Sequence, residues 1–159
     1  MAESAVADKA APARRKLHFN AIDDILADLD KLDRGPRTTT ATWSGGQNFE
    51  HLARFVDCCL DGFPMTMPWF MRLMGRVFKK KFLKGPMPAG IKNRGAAADA
   101  FHPGETSWED GMAHYRKSLN RLKSEPQRHP SPFFGTLTRD EWDMLHCRHA
   151  ELHLSFINA

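Results

Sequence analysis

Apolar residues along this chain recur three and four apart, and no good strand pattern stands anywhere in it, so the pattern predicts helices. The first runs from Leu17 or Asn20 to Asp33. Ile22, Ile25, Leu26, Leu29 and Leu32 make its apolar stripe, while Asp23, Asp24, Asp28, Asp30 and Lys31 lie off it. Asn20 is the expected cap, and Gly35-Pro36 ends the segment. Thr38 to Trp43 is rich in β-branched residues but short and isolated, which predicts an extended loop.

The second helix opens at Ser44. Ser44 and Gln47 form an S-x-x-Q capping box, in which each side chain satisfies a backbone N–H left unpaired at a helix start. Its stripe takes in Phe49, Leu52, Val56, Cys59 and Leu60, and Gly62 with Pro64 just beyond closes it. Pro68 suits the first turn of a further helix over 68–83. Trp69, Phe70, Leu73, Met74, Val77, Phe78 and Phe82 make that segment heavily apolar, and Lys79, Lys80, Lys81 and Lys84 suit its C-terminal end. It is expected to face the core or a second copy of the chain, with its lysines in water. Residues 85–105 hold several Gly and Pro and no sustained period, which predicts a long loop of the kind that acts as a cover or a mobile segment.

The next helix should run from Ser107 to about Ser124, capped by Thr106 or Ser107, and bury Trp108, Met112, Tyr115, Leu119 and Leu122. Thr138 and Glu141 form a second capping box, T-x-x-E, and open the last helix, which reaches Ile157. The expected fold is all-α: an up-down four-helix bundle, with an additional short helix and a long loop inserted after the second core helix.

At 159 residues, one domain is expected over 17–159, after a small, Ala-rich and charged N-terminal tail over 1–16 that reads as disordered or loosely held. The net charge of +4 comes largely from Arg14 to Lys16 and Lys79 to Lys84, which reads as solvated charge and not as a nucleic-acid surface. Three cysteines, Cys58, Cys59 and Cys147, in no disulfide or zinc spacing, fit a reducing compartment. No run approaches the roughly 18 apolar residues that span a bilayer, and Arg14-Arg15 lacks the apolar stretch of an export signal. A cytoplasmic protein with no membrane partner is expected.

The candidate chemistry sits in the last helix, which carries His146, His149 and His153. At about 100° per residue, Trp142, Leu145, His149, Leu152 and Phe156 share one inward arc, with His149 near its centre, His153 roughly 40° to one side and His146 further out. His146 and His153 stand seven residues apart, about 10 Å along the axis, too far to share one ion easily. The chelating pair is therefore His149 with His153 or His146 with His149, and the first has the better spacing and placement. One histidine on an apolar face is ordinarily a core residue with a hydrogen-bonded neighbour. Two on one inward stripe both need partners among Trp, Leu and Phe. His51, beside the stripe of the second helix, offers a third ring, and three neutral imidazoles around a cation would resolve the burial of all three. On residues alone, a metal site and a set of core histidines both stand. Cys58 and Cys59, two turns past His51, read as packing residues before nucleophiles.

The string W-S-x-G-Q-x-x-x-H, here Trp43, Ser44, Gly46, Gln47 and His51, joined to a closing helix with H-x-x-x-H, resembles the DinB/YfiT-like superfamily of four-helix-bundle metal proteins. A bacterial branch of it is matched more specifically by His129-Pro130, Phe133-Phe134-Gly135, Leu137 and Glu141-Trp142, with one extra residue after the proline. The resemblance implies a divalent metal held by His51, His149 and His153, with open positions for water or substrate. Many relatives end H-x-x-H-H-x-x-Q; here Leu152 stands at the extra histidine and Phe156 at the glutamine. Ligating histidines need a partner for their other nitrogen, and Glu50, Asp57, His146 and Glu151 are the candidates.

Three functions follow from these residues. The first is a metal-dependent enzyme, a hydrolase or a transferase or isomerase using a low-molecular-weight thiol, with zinc or nickel as the expected ion and iron as another. The second is a non-catalytic bundle binding a metal or small ligand. The third is a metal-free interaction module working through the 68–83 helix, whose aromatic face also suits a homodimer.

Overall fold

In the computed structural model, which describes residues 14–89 and 95–159, the chain is all-α. Six helices follow one another among those residues: α1 (Ile22–Arg34), α2 (Gly45–Asp61), α3 (Trp69–Lys84), α4 (Ala96–Phe101), α5 (Trp108–Ser124) and α6 (Arg139–Leu154). The described residues hold no strand, only isolated bridges between Thr39 and Ile157 and between Ser131 and Gly135.

The helix starts follow side-chain chemistry. Ser44 Oγ accepts the Gln47 N–H at 3.2 Å while Gln47 Oε1 accepts the Ser44 N–H at 3.0 Å, and Thr138 and Glu141 repeat the exchange at 3.1 and 3.0 Å. Ser107 caps α5 by accepting the Asp110 N–H. Asn20 does not cap α1. The Asp24 carboxylate reaches back instead and takes the N–H groups of both Asn20 and Ala21, at 2.8 and 3.1 Å.

Helices α1 and α2 each pack on both α5 and α6, while α3 lies on α6 and α4 on α2. Ile25, Leu29, Phe49, Leu119, Trp142 and Leu154 are among the fully buried side chains of the shared core. At the α2–α5 crossing two glycines allow the backbones to meet: a Cβ on Gly46 would stand 2.3 Å from the Thr106 and Ser107 carbonyl oxygens, and one on Gly111 would stand 2.3 Å from the Gly46 oxygen. The single inward arc read from the last helix is only part of its buried surface. Cys147, Ala150 and Leu154, on another side of the wheel, are fully buried in the core, so α6 is enclosed on two sides.

Three further expectations change. The tail assigned to 1–16 lies outside the described residues up to residue 13, but Arg14 and Arg15 are tied down. The Arg15 guanidinium donates twice to Asp28 at 2.9 and 2.7 Å, and Arg14 Nε donates to Ser155 Oγ at 3.1 Å. The loop over 85–105 contains α4, an Ala-rich helix too short to show a period. Helix α3 is not a core helix: Trp69 and Val77 are 75% and 69% exposed, and only Gly75 and Leu83 are buried. Its attachment explains this. Gly75 sits beneath the Phe133 carbonyl, where a Cβ would come within 2.1 Å of the oxygen, and Lys79 pairs with Glu141 at 2.6 Å. The helix is pinned near its middle and leaves a cavity beneath its apolar side.

Replacing Gly46 with Ala forces α2 and α5 apart and is expected to cost about 1–3 kcal/mol in urea unfolding. Lys80→Ala on the exposed side of α3 is expected to stay within about 0.5 kcal/mol of the parent chain. Equal stabilities for the two variants would show that the crossing is not tight.

Candidate metal centre

His51 projects from the middle of α2, and His149 and His153 from the last two turns of α6, one helical turn apart. Their ligand nitrogens all lie within 4.8 Å of one another. His51 Nε2 and His149 Nε2 are 3.2 Å apart. Ligands placed tetrahedrally 2.0–2.1 Å from an ion stand roughly 3.3 Å from each other, so this pair already has the separation a shared ion needs.

The hydrogen positions follow from the partners. His51 Nδ1 lies 2.8 Å from the Phe101 carbonyl oxygen, which only accepts, so Nδ1 carries the proton and Nε2 presents a lone pair. His153 Nδ1 lies 3.0 Å from Asn48 Oδ1. The orientation of that amide is fixed because Asn48 Nδ2 donates to the Ser44 carbonyl at 2.9 Å. His153 Nδ1 is therefore the donor, and its Nε2 is the free nitrogen. Two of the three rings are thus held in the tautomer a metal ligand requires. His149 Nδ1 is buried with no partner.

Trp43 walls the site, stacked on His153 with 5.9 Å between ring centroids and 15° between planes. Phe55 meets His149 edge-on at 4.7 Å. Burial pushes all three rings toward the neutral form: His51 lies below its ordinary value, His149 well below, and His153 at about 3. Neutral rings are what an ion binds. The cluster lines one wall of a cavity of about 850 Å³ that extends beneath α3.

The W-S-x-G-Q-x-x-x-H string therefore has a place at each position: a wall, a cap, a close backbone crossing and a histidine of the cluster. In the H-P-S-P-F-F-G string, Ser131 and Gly135 exchange backbone hydrogen bonds at 2.9 Å, and Ser131 Oγ accepts the Phe133 and Phe134 N–H groups. This tight loop, with Gly135 at φ 71°, presents both phenylalanines to the cavity.

None of the four residues offered as ring partners serves as one. Glu50 and Asp57 face α5, where they take His114 at 2.7 and 2.8 Å. Burial opposes the charge on His114, but the hydrogen bonds and charges of Glu50 and Asp57 together outweigh it and hold its pKa above the ordinary value. Glu151 accepts the Phe19 N–H at 2.6 Å and pairs with the buried Arg148 at 2.9 Å. His146 stacks on Trp142 at 5.5 Å, with its Nε2 buried and unpartnered. The actual partners are Asn48, a polar residue 1% exposed in an apolar stripe, and a carbonyl at the end of α4. Asn48 had a sequence signal, one turn before His51; the carbonyl had none. The cysteines line no part of the cavity, and burial pushes Cys59 and Cys147 up to about 12, so they stay thiols.

Burial, with a smaller contribution from the Arg128 charge, lowers His146 from 6.5 to about 3. A base depressed in the folded state gives stability that is complete above the unfolded pKa and lost as pH falls from about 6.5 toward 3. In metal-free protein, His146→Leu should flatten the dependence of unfolding free energy on pH in that window by up to ~1.4 kcal/mol per pH unit. Parallel curves for the two proteins would contradict a buried neutral His146.

No curated protein and no solved structure matches this chain. A family model described as a protein of unknown function (DUF1569) matches residues 11–159, nearly the whole length, and the chain belongs to that family.

Proposed function

We propose that this chain is a metal-dependent enzyme whose ion is held by His51, His149 and His153, within the DinB/YfiT-like superfamily of four-helix bundles. The observation that carries the proposal is the convergence of three rings whose ligand nitrogens lie within 4.8 Å of one another, with the Nδ1 protons of His51 and His153 committed to Phe101 and Asn48. Lone pairs placed to converge in an apolar pocket suit a cation better than they suit one another. The superfamily reading is supported by the way α1, α5, α2 and α6 close a ring of contacts, each helix against its two neighbours.

A divalent ion there supplies Lewis acidity, which lowers the pKa of a bound water or holds a thiolate. The protein's own residues bind, orient and exclude. Phe101 and Asn48 fix two ring orientations, Trp43 and Phe55 shield the rings, and the open side of the cluster faces the cavity. No carboxylate lines the cavity among the described residues, so a side-chain general base plays no part in this proposal. Metal-assisted hydrolysis is the reaction class that asks least of the surroundings. Transfer or isomerisation with a thiol is the other member of the class.

Purified without chelator, or dialysed against zinc or nickel, the protein should hold close to one ion per chain by elemental analysis. His149→Ala and His51→Ala should abolish that occupancy, and Asn48→Ala should weaken affinity by about 10–100-fold. His146→Leu should keep full occupancy. A parent chain that takes up no ion defeats the proposal. Metal-dependent turnover of an activated ester or amide, absent from the His149→Ala protein, distinguishes an enzyme from a binding protein.

A further inference from the structure

The cavity in front of the histidines has an unusual composition. Five of the chain's eight methionines and nine of its eleven phenylalanines line it, although these residues come from widely separated parts of the sequence. No Asp, Glu, Lys or Arg lines it among the described residues, in a chain where 26% of residues are charged. Its polar side chains are the three histidines, Ser131 and the Trp43 indole. Ser131 Oγ is already engaged by the backbone of its own loop. A ligand in this space therefore meets polar partners free to bind it at the histidine wall and apolar surface over the rest of its length.

The geometry points to a ligand with a long, flexible hydrocarbon chain of the acyl type, carrying one metal-binding head group that sits at His51, His149 and His153. Three observations support that class. The volume of about 850 Å³ lies in the upper part of the range for small-molecule pockets, roughly 300–1,000 Å³, so a small polar molecule would leave most of it unfilled. The methionines of the wall repack around shapes that vary, which suits a chain with rotatable bonds better than one rigid outline. Charged groups on the body of a ligand would be desolvated with nothing to pair them, which works against a thiol bearing several carboxylates. The cavity is built and not merely a gap: Gly75 against Phe133 and the Lys79–Glu141 pair hold α3 over it, and Leu83 is buried at the far end of that helix.

The head-group half of this inference rests on the metal proposal; the chain half does not. Two ligand series separate them, followed by titration calorimetry and by the change in tryptophan fluorescence, to which Trp43 beside His153 contributes. Zinc-loaded protein is titrated with straight-chain hydroxamic acids from acetohydroxamic acid to dodecanoyl hydroxamic acid. Affinity should rise about two- to fourfold per added methylene until the cavity is filled. Metal-free protein is titrated with 1-alkanols of four to twelve carbons, which should show the same slope at weaker affinity. Met74→Lys, at a half-exposed wall position where a lysine can be accommodated, should weaken the longest chains at least tenfold and leave zinc occupancy and acetohydroxamic acid binding unchanged.

A flat dependence on chain length in both series overturns the inference, and so does glutathione binding more tightly than decanoyl hydroxamic acid. A stable dimer that binds no alkanol would assign the cavity to a second copy of the chain and also overturn it. If no zinc is taken up but the alkanol slope appears, the metal proposal and the head-group assignment fall while the hydrocarbon site stands.

Discussion

His51 and His149 bring their Nε2 atoms to 3.2 Å, with the third ring of His153 beside them, and much of the local structure serves to put them there. The Phe101 carbonyl fixes the proton of His51 on its far nitrogen, and Asn48 does the same for His153. Those contacts come from separate parts of the chain: the end of α4, the first turns of α2 and the end of α6. If His149 supplies the missing proton from its own Nε2, its Nδ1 becomes an acceptor in an apolar wall with no donor near it. With an ion on all three Nε2 atoms, that Nδ1 would instead be an unpartnered N–H. What a cation would add is a partner for His153 Nε2, which the His51–His149 contact leaves free.

Holding α6 in register against α2 is therefore the mechanical requirement of the fold. On one side, the capping box at Ser44 and the glycine crossing at Gly46 and Gly111 set where α2 begins and how closely it meets α5. On the other side, the segment before α1 grips the end of α6. Arg15 spans from Asp28 to the Leu154 carbonyl, and Arg148 with Glu151 takes both backbone groups of Phe19. A buried pair such as Arg148–Glu151 is weak support for stability, because desolvation offsets most of its attraction. Its directional hydrogen bonds specify where the chain sits, and that specification is what two histidines four residues apart need.

How much of this was legible in the sequence depends on whether a feature is local. Capping boxes involve residues three apart and were readable at Ser44 and Thr138. Helix periodicity located α1, α2, α5 and α6 to within a few residues. The wheel and the rise per residue separated His149 and His153 from His146, and the structure brings those two together with His51. What sequence patterns missed was set by tertiary geometry. Asp24 displaced Asn20 as the cap of α1 because a carboxylate in the first turn can take two N–H groups. Helix α3 has the composition of a core helix, yet the Phe133 loop pins it above the core and its apolar side lines a cavity or faces outward. The expected partners of the rings are ionisable residues, but the fold uses an amide for His153 and a backbone carbonyl for His51.

The two sides of α2 show how polarity is divided in this protein, and the division limits its chemistry. One side carries Glu50, Arg54 and Asp57, which join His114, Ser118 and Arg121 of α5 in a charged, partly exposed network. The other side carries Asn48, His51 and Phe55 and meets the cavity, where the described residues place no charge. Glu50, Asp57 and His114 are thus engaged with one another, and none of them lines the cavity. The cysteines, held as thiols by burial, add no nucleophile. Under the proposed function, chemistry in that cavity would draw on an ion at the histidines and on the functional group of the ligand itself. Such a site would favour reactions in which polarising one oxygen or sulfur atom is sufficient, and would select its substrates by the apolar remainder of the molecule.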